Sequence, residues 1–246
     1  MTERERERAI RVKLARSETR FPAFVPTGFE ALDRALAGGL PRGRITELFG
    51  GPSGGKTTLA LDIVAHAQEN GLTAAWIDAE HGFDPAYASD RGVSLERLPM
   101  ASPDTAEESL EIARQLAGSG GIDLLALDSA AALTPALELE IGLGDGSAGM
   151  QGRVLSSGFR RLAFAAARTE TAILVLNQVR SRSGASEDET SAGGPGLKLY
   201  AAVRIVLESA GRTGNVHFRI LKSKVAAAFR EGDLRLDGGA GCSKTR

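Results

Sequence analysis

Two hydrophobic rhythms alternate along the chain. Ile45-Thr46-Glu47-Leu48-Phe49 sets apolar side chains at alternating positions and predicts a short strand. After a glycine-rich stretch, Leu59, Ala60, Ile63, Val64 and Ala67 recur at helical spacing as far as Gly71, a natural stop. The pairing then repeats. Thr73 to Asp78 reads as a buried strand ending in Asp78-Ala79-Glu80-His81. A helix follows, with Asp104 as its expected cap and Glu107 completing a box-like start. Ala106, Leu110, Ala113 and Ala117 share one of its faces, and Gly120-Gly121 ends it. The apolar run Ile122 to Asp128 closes in an acid. A helix from about Met150 to Arg168 comes next, then a strand Ala172 to Leu176 that ends in Asn177-Gln178.

Strands alternating with helices predict an α/β fold with a parallel sheet covered on both faces. Polar strand ends would then line one edge, where open sheets of this kind bind ligands. Beyond Gln178 the pattern changes. Arg180 to Gly196 is polar and rich in Gly and Ser, with no apolar period, and a loop that long inside a compact domain is usually functional or disordered. Segments 203–207, 216–221 and 234–236 read as strands without long helices between them. They predict hairpins, an antiparallel extension of the mostly parallel sheet at its C-terminal side.

Ahead of the first strand, residues 2–16 read as a charged helix, either a solvated arm or one that docks on a neighbouring subunit. Phe21 to Pro26 is extended, Thr27 is an expected cap for a short helix through Leu36, and Gly38 to Gly43 is a turn. The organisation expected is therefore an arm over 1–26, a core over 27–237 and a polar tail over 238–246.

Composition narrows the setting. The chain has 246 residues, enough for one large α/β domain, and its net charge of −1 gives no global basic field, so any polyanion site must be local. The single cysteine, Cys242, excludes an intrachain disulfide and suits a reducing cytoplasm. No apolar run approaches the roughly 20 residues of a membrane span, and the charged N-terminus has no signal-peptide core.

The chemistry is concentrated in Gly50-Gly51-Pro52-Ser53-Gly54-Gly55-Lys56-Thr57-Thr58, which fits the phosphate-binding P-loop pattern between a strand and a helix. Its glycines let backbone N–H groups curl around phosphate oxygens, and the helix N-terminus adds partial positive charge. Lys56 can reach the β- and γ-phosphates of ATP, and the Thr57 hydroxyl can hold Mg²⁺. Asp128, at the end of an apolar strand, suits a carboxylate that holds the same Mg²⁺ through water. Glu80 is the candidate for orienting or deprotonating a hydrolytic water, against a reading as a solvated surface acid. Gln178 either senses the γ-phosphate or bonds locally. His81 has no second ligand at metal spacing, and His66 and His217 read as structural. Arg153, Arg160, Arg161, Arg180 and Arg182 can neutralise phosphates of a single strand or be ordinary surface arginines. Glu187-Asp188-Glu189 and the lack of an aromatic in that loop weigh against nucleic acid.

Taken together, the P-loop, Trp76 to Pro85, Leu127 to Pro135, Asn177-Gln178-Val179-Arg180, Gly193-Gly194 and Leu221 to Ala226 resemble bacterial RecA recombinases, over about Thr27 to Leu236. The resemblance implies a RecA-like P-loop ATPase core that forms a filament of head-to-tail copies on single-stranded DNA. That filament pairs the strand with a homologous duplex, in DNA repair and the SOS response. It makes Glu80 the catalytic glutamate and Gln178 the γ-phosphate sensor. It places Asp84 and Tyr87 beside the adenine, and Lys222 and Lys224 on ATP across a subunit boundary. It assigns residues 142–149 and 180–196 to two DNA loops, with Arg153, Arg180, Arg182, Gly193 and Gly194 near DNA. The chain departs from the family at Gly51-Pro52, Ser147, Pro195-Gly196 and Leu199, and in its acidic second loop. A short form without the family's small C-terminal domain is expected. A second expectation stays open: an accessory protein that binds ATP and a repair partner without exchanging strands. A P-loop kinase or transporter ATPase lacks support in the residues after Gln178.

Overall fold

The computed structural model describes residues 24–140, 149–180, 190–209 and 214–236. The expected helix over 2–16, the tail with Cys242, most of the first loop and Arg182 lie outside the described residues.

In chain order the elements are β1 (Phe24–Val25), α1 (Glu30–Leu36), β2 (Leu40–Pro41), β3 (Ile45–Gly50), α2 (Lys56–Glu69), β4 (Ala74–Asp78) and α3 (Pro85–Asp90). They continue with β5 (Met100–Ala101), α4 (Ala106–Gly118), β6 (Leu124–Asp128), α5 (Ala136–Glu140), α6 (Met150–Thr169) and β7 (Ala172–Arg180). The last are β8 (Thr190–Ser191), α7 (Pro195–Tyr200), β9 (Ala201–Ser209), β10 (Asn215–Ser223) and β11 (Glu231–Arg235).

Among the described residues the main sheet runs β11-β10-β9-β3-β7-β6-β4-β5, and β8 folds back on the end of β7. β3 lies inside it, parallel to β7 on one side and to β9 on the other. β4, β5, β6 and β7 continue in parallel, whereas β9, β10 and β11 are antiparallel. The fold is thus the expected mostly parallel sheet with an antiparallel extension. A separate pair, β1 with β2, ties the extended Phe24–Val25 to the core.

Two apolar clusters sandwich the sheet, because strands buried on both faces send alternate residues to opposite sides. Ala74 and Trp76 join the α2 residues Leu59, Ile63 and Val64 on one face. Ala75 and Ile77 join α4 and α6 through Leu110, Phe159 and Leu162 on the other. No helix of the described residues is long and apolar enough to cross a membrane.

Several local expectations change. Alternation predicts one apolar face for β3, yet Thr46 and Glu47 are as buried as their apolar neighbours. Glu47 is accommodated by Arg204, whose Nε donates to Oε2 at 2.5 Å, and by Asn177 Nδ2 at 2.9 Å. Thr27 does not cap α1. It is buried, and its hydroxyl donates to Asp33 Oδ1 at 2.7 Å, bracing the helix from the side. Thr105, not Asp104, caps α4 by accepting from the Glu108 N–H, and Glu107 instead accepts from the Ala136 N–H. The stretch expected as loop to Gly196 regains structure at β8 and α7, where β8 pairing and a proline at the helix start override the polar composition.

Candidate nucleotide site and the adjoining basic groove

The phosphate loop joins β3 to α2, so its backbone emerges at the C-terminal edge of the sheet. Gly55 opens α2 with φ +83°, a torsion that side chains rarely adopt, so the position calls for glycine. The Lys56 ammonium turns back into the loop and donates to the carbonyls of Gly50 at 3.2 Å and Gly51 at 2.7 Å. Burial holds its pKa below the ordinary lysine range, with Asp128 and Glu80 opposing that shift.

Two strand ends, of β4 and β6, bring the acids to this loop, and the end of β7 brings Gln178. The Thr57 hydroxyl donates to Asp128 Oδ2 at 2.9 Å, joining the first turn of α2 to the end of β6. Burial pushes the Asp128 carboxyl up to about 6; Thr57 lowers it, and neighbouring Glu80 and Asp78 raise it. The N–H groups of Ala79 and Glu80 bond to the Asp128 carbonyl, which locks the ends of β4 and β6 together. Asp78 accepts from the Gly82 and Phe83 N–H groups and so shapes the turn that presents Glu80. Glu80 Oε1 accepts from the Ser129 hydroxyl and, at 3.3 Å, from Gln178 Nε2. Hard oxygen donors on Thr57 and Asp128, beside a loop of backbone N–H groups and one ammonium, fit a Mg²⁺–nucleoside triphosphate.

The remaining expected site residues lie partly at this loop and partly away from it. Tyr87 comes to the loop: its hydroxyl lies 2.7 Å from Thr58 Oγ1. Asp84 caps α3 by accepting from the Ala86 and Tyr87 N–H groups, so it aims Tyr87. The Lys222 ammonium donates to the Lys198 carbonyl at 2.6 Å and the Leu199 carbonyl at 3.3 Å, and no hydrogen bond among the described residues ties Lys222 or Lys224 to residues 50–58. His81 Nε2 lies 3.6 Å from Asp104 Oδ1, and His217 Nδ1 lies 2.9 Å from Asp233 Oδ1. Within the described residues no cluster of three or more His, Cys, Asp or Glu could hold a metal ion.

Three of the residues expected near DNA, Arg153, Arg160 and Gly194, share a second surface. Arg153, Arg160, Gly194, Pro195 and Gly149 line one groove of about 680 Å³ at the start of α6. Gly193 and Gly194 have φ of +82° and +77°, and a Cβ on Gly193 would meet Leu155 Cδ1 at 2.8 Å. The paired glycines therefore let the second loop return tightly against α6. Arg180 ends β7 opposite Thr190.

A buried network behind Gln178 had no signal in the periodicity. Asn177 Nδ2 bonds both Glu47 Oε1 and the Ala192 carbonyl, and the Ala192 N–H donates to the Gln178 carbonyl at 2.9 Å. The Arg204 guanidinium lies 4.6 Å from the Phe49 ring centroid and reaches Ser191 Oγ. Ser129 was also missed, although it directly follows Asp128.

The model of the RecA N-terminal domain family matches residues 3–243. Protein RecA of Thermus thermophilus is 45% identical over 229 residues, 88% of this chain and 67% of the relative. Protein RecA of Deinococcus radiodurans is 47% identical over 88% of this chain and 63% of its own length. The chain thus spans about two thirds of the length of these relatives. The crystal structure of the RadB recombinase shares the fold, with a TM-score of 0.68 and 22% identity over 86% of this chain and 96% of that one.

Proposed function

The chain belongs to the RecA N-terminal domain family, and on that premise we propose that it is an ATP-dependent recombinase. It binds single-stranded DNA, assembles head to tail with copies of itself, pairs the strand with homologous duplex and serves DNA repair. The observation that carries the reading is the Ser129–Glu80–Gln178 cluster beside the phosphate loop. One acid is held by two donors, one of which sits on the strand leading into the second DNA loop.

The residues divide the work. Gly50 to Thr58 wrap the triphosphate with backbone N–H groups, and Lys56 exchanges the Gly50 and Gly51 carbonyls for phosphate oxygens. Thr57 and Asp128 would hold Mg²⁺, which would neutralise charge on the phosphates. Glu80 orients a water in line with the γ-phosphorus and takes its proton as the new P–O bond forms and the bond to the ADP oxygen breaks. Ser129 and Gln178 keep that carboxylate in place. The Gln178 amide, bonded to Glu80 and joined through its backbone to Ala192, links the phosphate end to the loop return. Tyr87 lies on the nucleoside side of the loop. Lys222 and Lys224, untied to their own phosphate loop, serve ATP at a neighbouring copy, so turnover depends on assembly. A reducing, cytoplasmic setting goes with this reading, because a single cysteine leaves no intrachain disulfide.

The test is steady-state ATP hydrolysis with and without poly(dT) across a salt series. Stimulation that fades as salt rises supports the recombinase reading. A rate indifferent to DNA overturns it in favour of an accessory ATP-binding protein.

A further inference from the structure

Beyond the loop groove, α6 carries a second line of features toward its C-terminal end. Arg153, Ser157, Arg160, Phe164 and Arg168 follow one another at helical spacing on one face, with Arg161 beside them. Phe164 is 67% exposed, and the Arg168 guanidinium sits 5.8 Å from its ring centroid. A groove of about 430 Å³ between α4 and α6 is lined by Arg114, Arg160, Arg161, Phe164 and Ala165. It shares Arg160 with the loop groove, so the two form one surface. Arg153 and Phe164 lie about 16 Å apart along the axis, at about 1.5 Å per residue.

The charge balance is positive. Glu111 is already bonded to Arg114 at Nε and Nη2, and the Glu107 carboxylate accepts from the Ala136 N–H. Arg160 has no hydrogen bond or ion pair among the described residues. Neither loop segment, 142–149 or 180–196, contains an aromatic residue, although sequence-tolerant single-strand sites use aromatic faces to stack bases. Phe164 supplies that face outside the loops, one cavity further along the same cationic helix.

We propose that the α4–α6 groove is a single-stranded nucleic-acid site that continues the loop groove: Phe164 stacks a base, and Arg161 and Arg168 hold flanking phosphates. It rests on the DNA-binding reading above and extends it to residues that reading does not use.

Labelled (dT)20 titrated at low salt with ATP and Mg²⁺, followed by anisotropy, tests the site. Phe164→Ala should weaken binding about tenfold, while DNA-free ATP hydrolysis stays at the parent rate. Phe164→Tyr should restore binding. Arg161→Glu with Arg168→Glu should flatten the salt dependence of what binding is left. Phe164→Trp should show emission quenched by (dT)20, reporting the stack directly. If Phe164→Ala binds like the parent while Arg153→Ala loses binding, the groove proposal falls and the DNA reading stands. If the parent binds no (dT)20, both fall. If Phe164→Ala changes light scattering but not DNA affinity, the face is a contact between copies and the proposal is overturned.

Discussion

The nucleotide end of the sheet and the basic face of α6 solve binding in opposite ways. At the nucleotide end the polar groups hold one another: Thr57 with Asp128, Ser129 and Gln178 with Glu80, Lys56 with two carbonyls. On α6, Arg153, Arg160, Arg161 and Phe164 are exposed and sparsely partnered. Phosphoryl transfer needs donors and acids fixed before the substrate arrives, because a small misplacement costs orders of magnitude in rate. Holding a flexible polyanion needs charge and a stacking face, and side chains that adjust serve that as well as rigid ones. Substitutions at the first surface should therefore act on chemistry, and those at the second on affinity and its salt dependence.

The comparison breaks most visibly at Lys56 and Glu80. Lys56→Ala should lose ATP binding and turnover by about 10²-fold or more, read by binding of a fluorescent ATP analogue and by phosphate release; unchanged hydrolysis would remove the loop from the mechanism. Glu80→Gln should retain ATP binding within about twofold while hydrolysis drops by about 10²-fold to 10⁴-fold. Retained turnover would return Glu80 to a surface acid.

Arg204→Ala asks whether the network behind Gln178 is structural before it is functional. It strands Glu47, which has no exposed surface, and should cost about 3–5 kcal/mol in urea denaturation. A Glu47→Met/Arg204→Met pair should recover most of that loss, since two apolar side chains leave no buried charge.

Asp128 gives a pH-dependent test of preorganisation. Its carboxyl is raised from 3.8 to about 6. The native protein without Mg²⁺ thus holds a proton between those values that the unfolded chain has released, and stability falls as pH rises through that window. Asp128→Asn should therefore stabilise the Mg²⁺-free protein by about 1–2 kcal/mol at pH 8, allowing for its partial exposure, and by little at pH 4. Equal effects at both values would show that burial does not raise this acid. Mg²⁺-dependent ATP binding should weaken in the same variant. The smallest effect is at Tyr87→Phe, which deletes the hydroxyl bonded to Thr58 and should cost about 1 kcal/mol.

The elements with a strong period were legible in the chain. The strand–glycine loop–helix of residues 45 to 69, the apolar runs closing in Asp78 and Asp128, and the long helix from Met150 all appear where the sequence put them, because burial of one face sets the period of a helix and burial of both faces makes a strand a continuous apolar run. Local chemistry was legible too: a Gly-rich loop before Lys56-Thr57 admits few uses. The tertiary structure decided what periodicity does not encode. It chose which strands became neighbours, so that β7 and β9, not the next strand in sequence, lie beside β3, and β6 lies between β7 and β4, bringing Gln178 and Ser129 to Glu80. It buried Glu47 against an arginine 157 residues away, a pairing invisible to any local window. It also set Arg114 of α4 beside Phe164 and the arginines of α6, in the groove next to the loop groove, since a helix face acquires meaning only from what packs next to it.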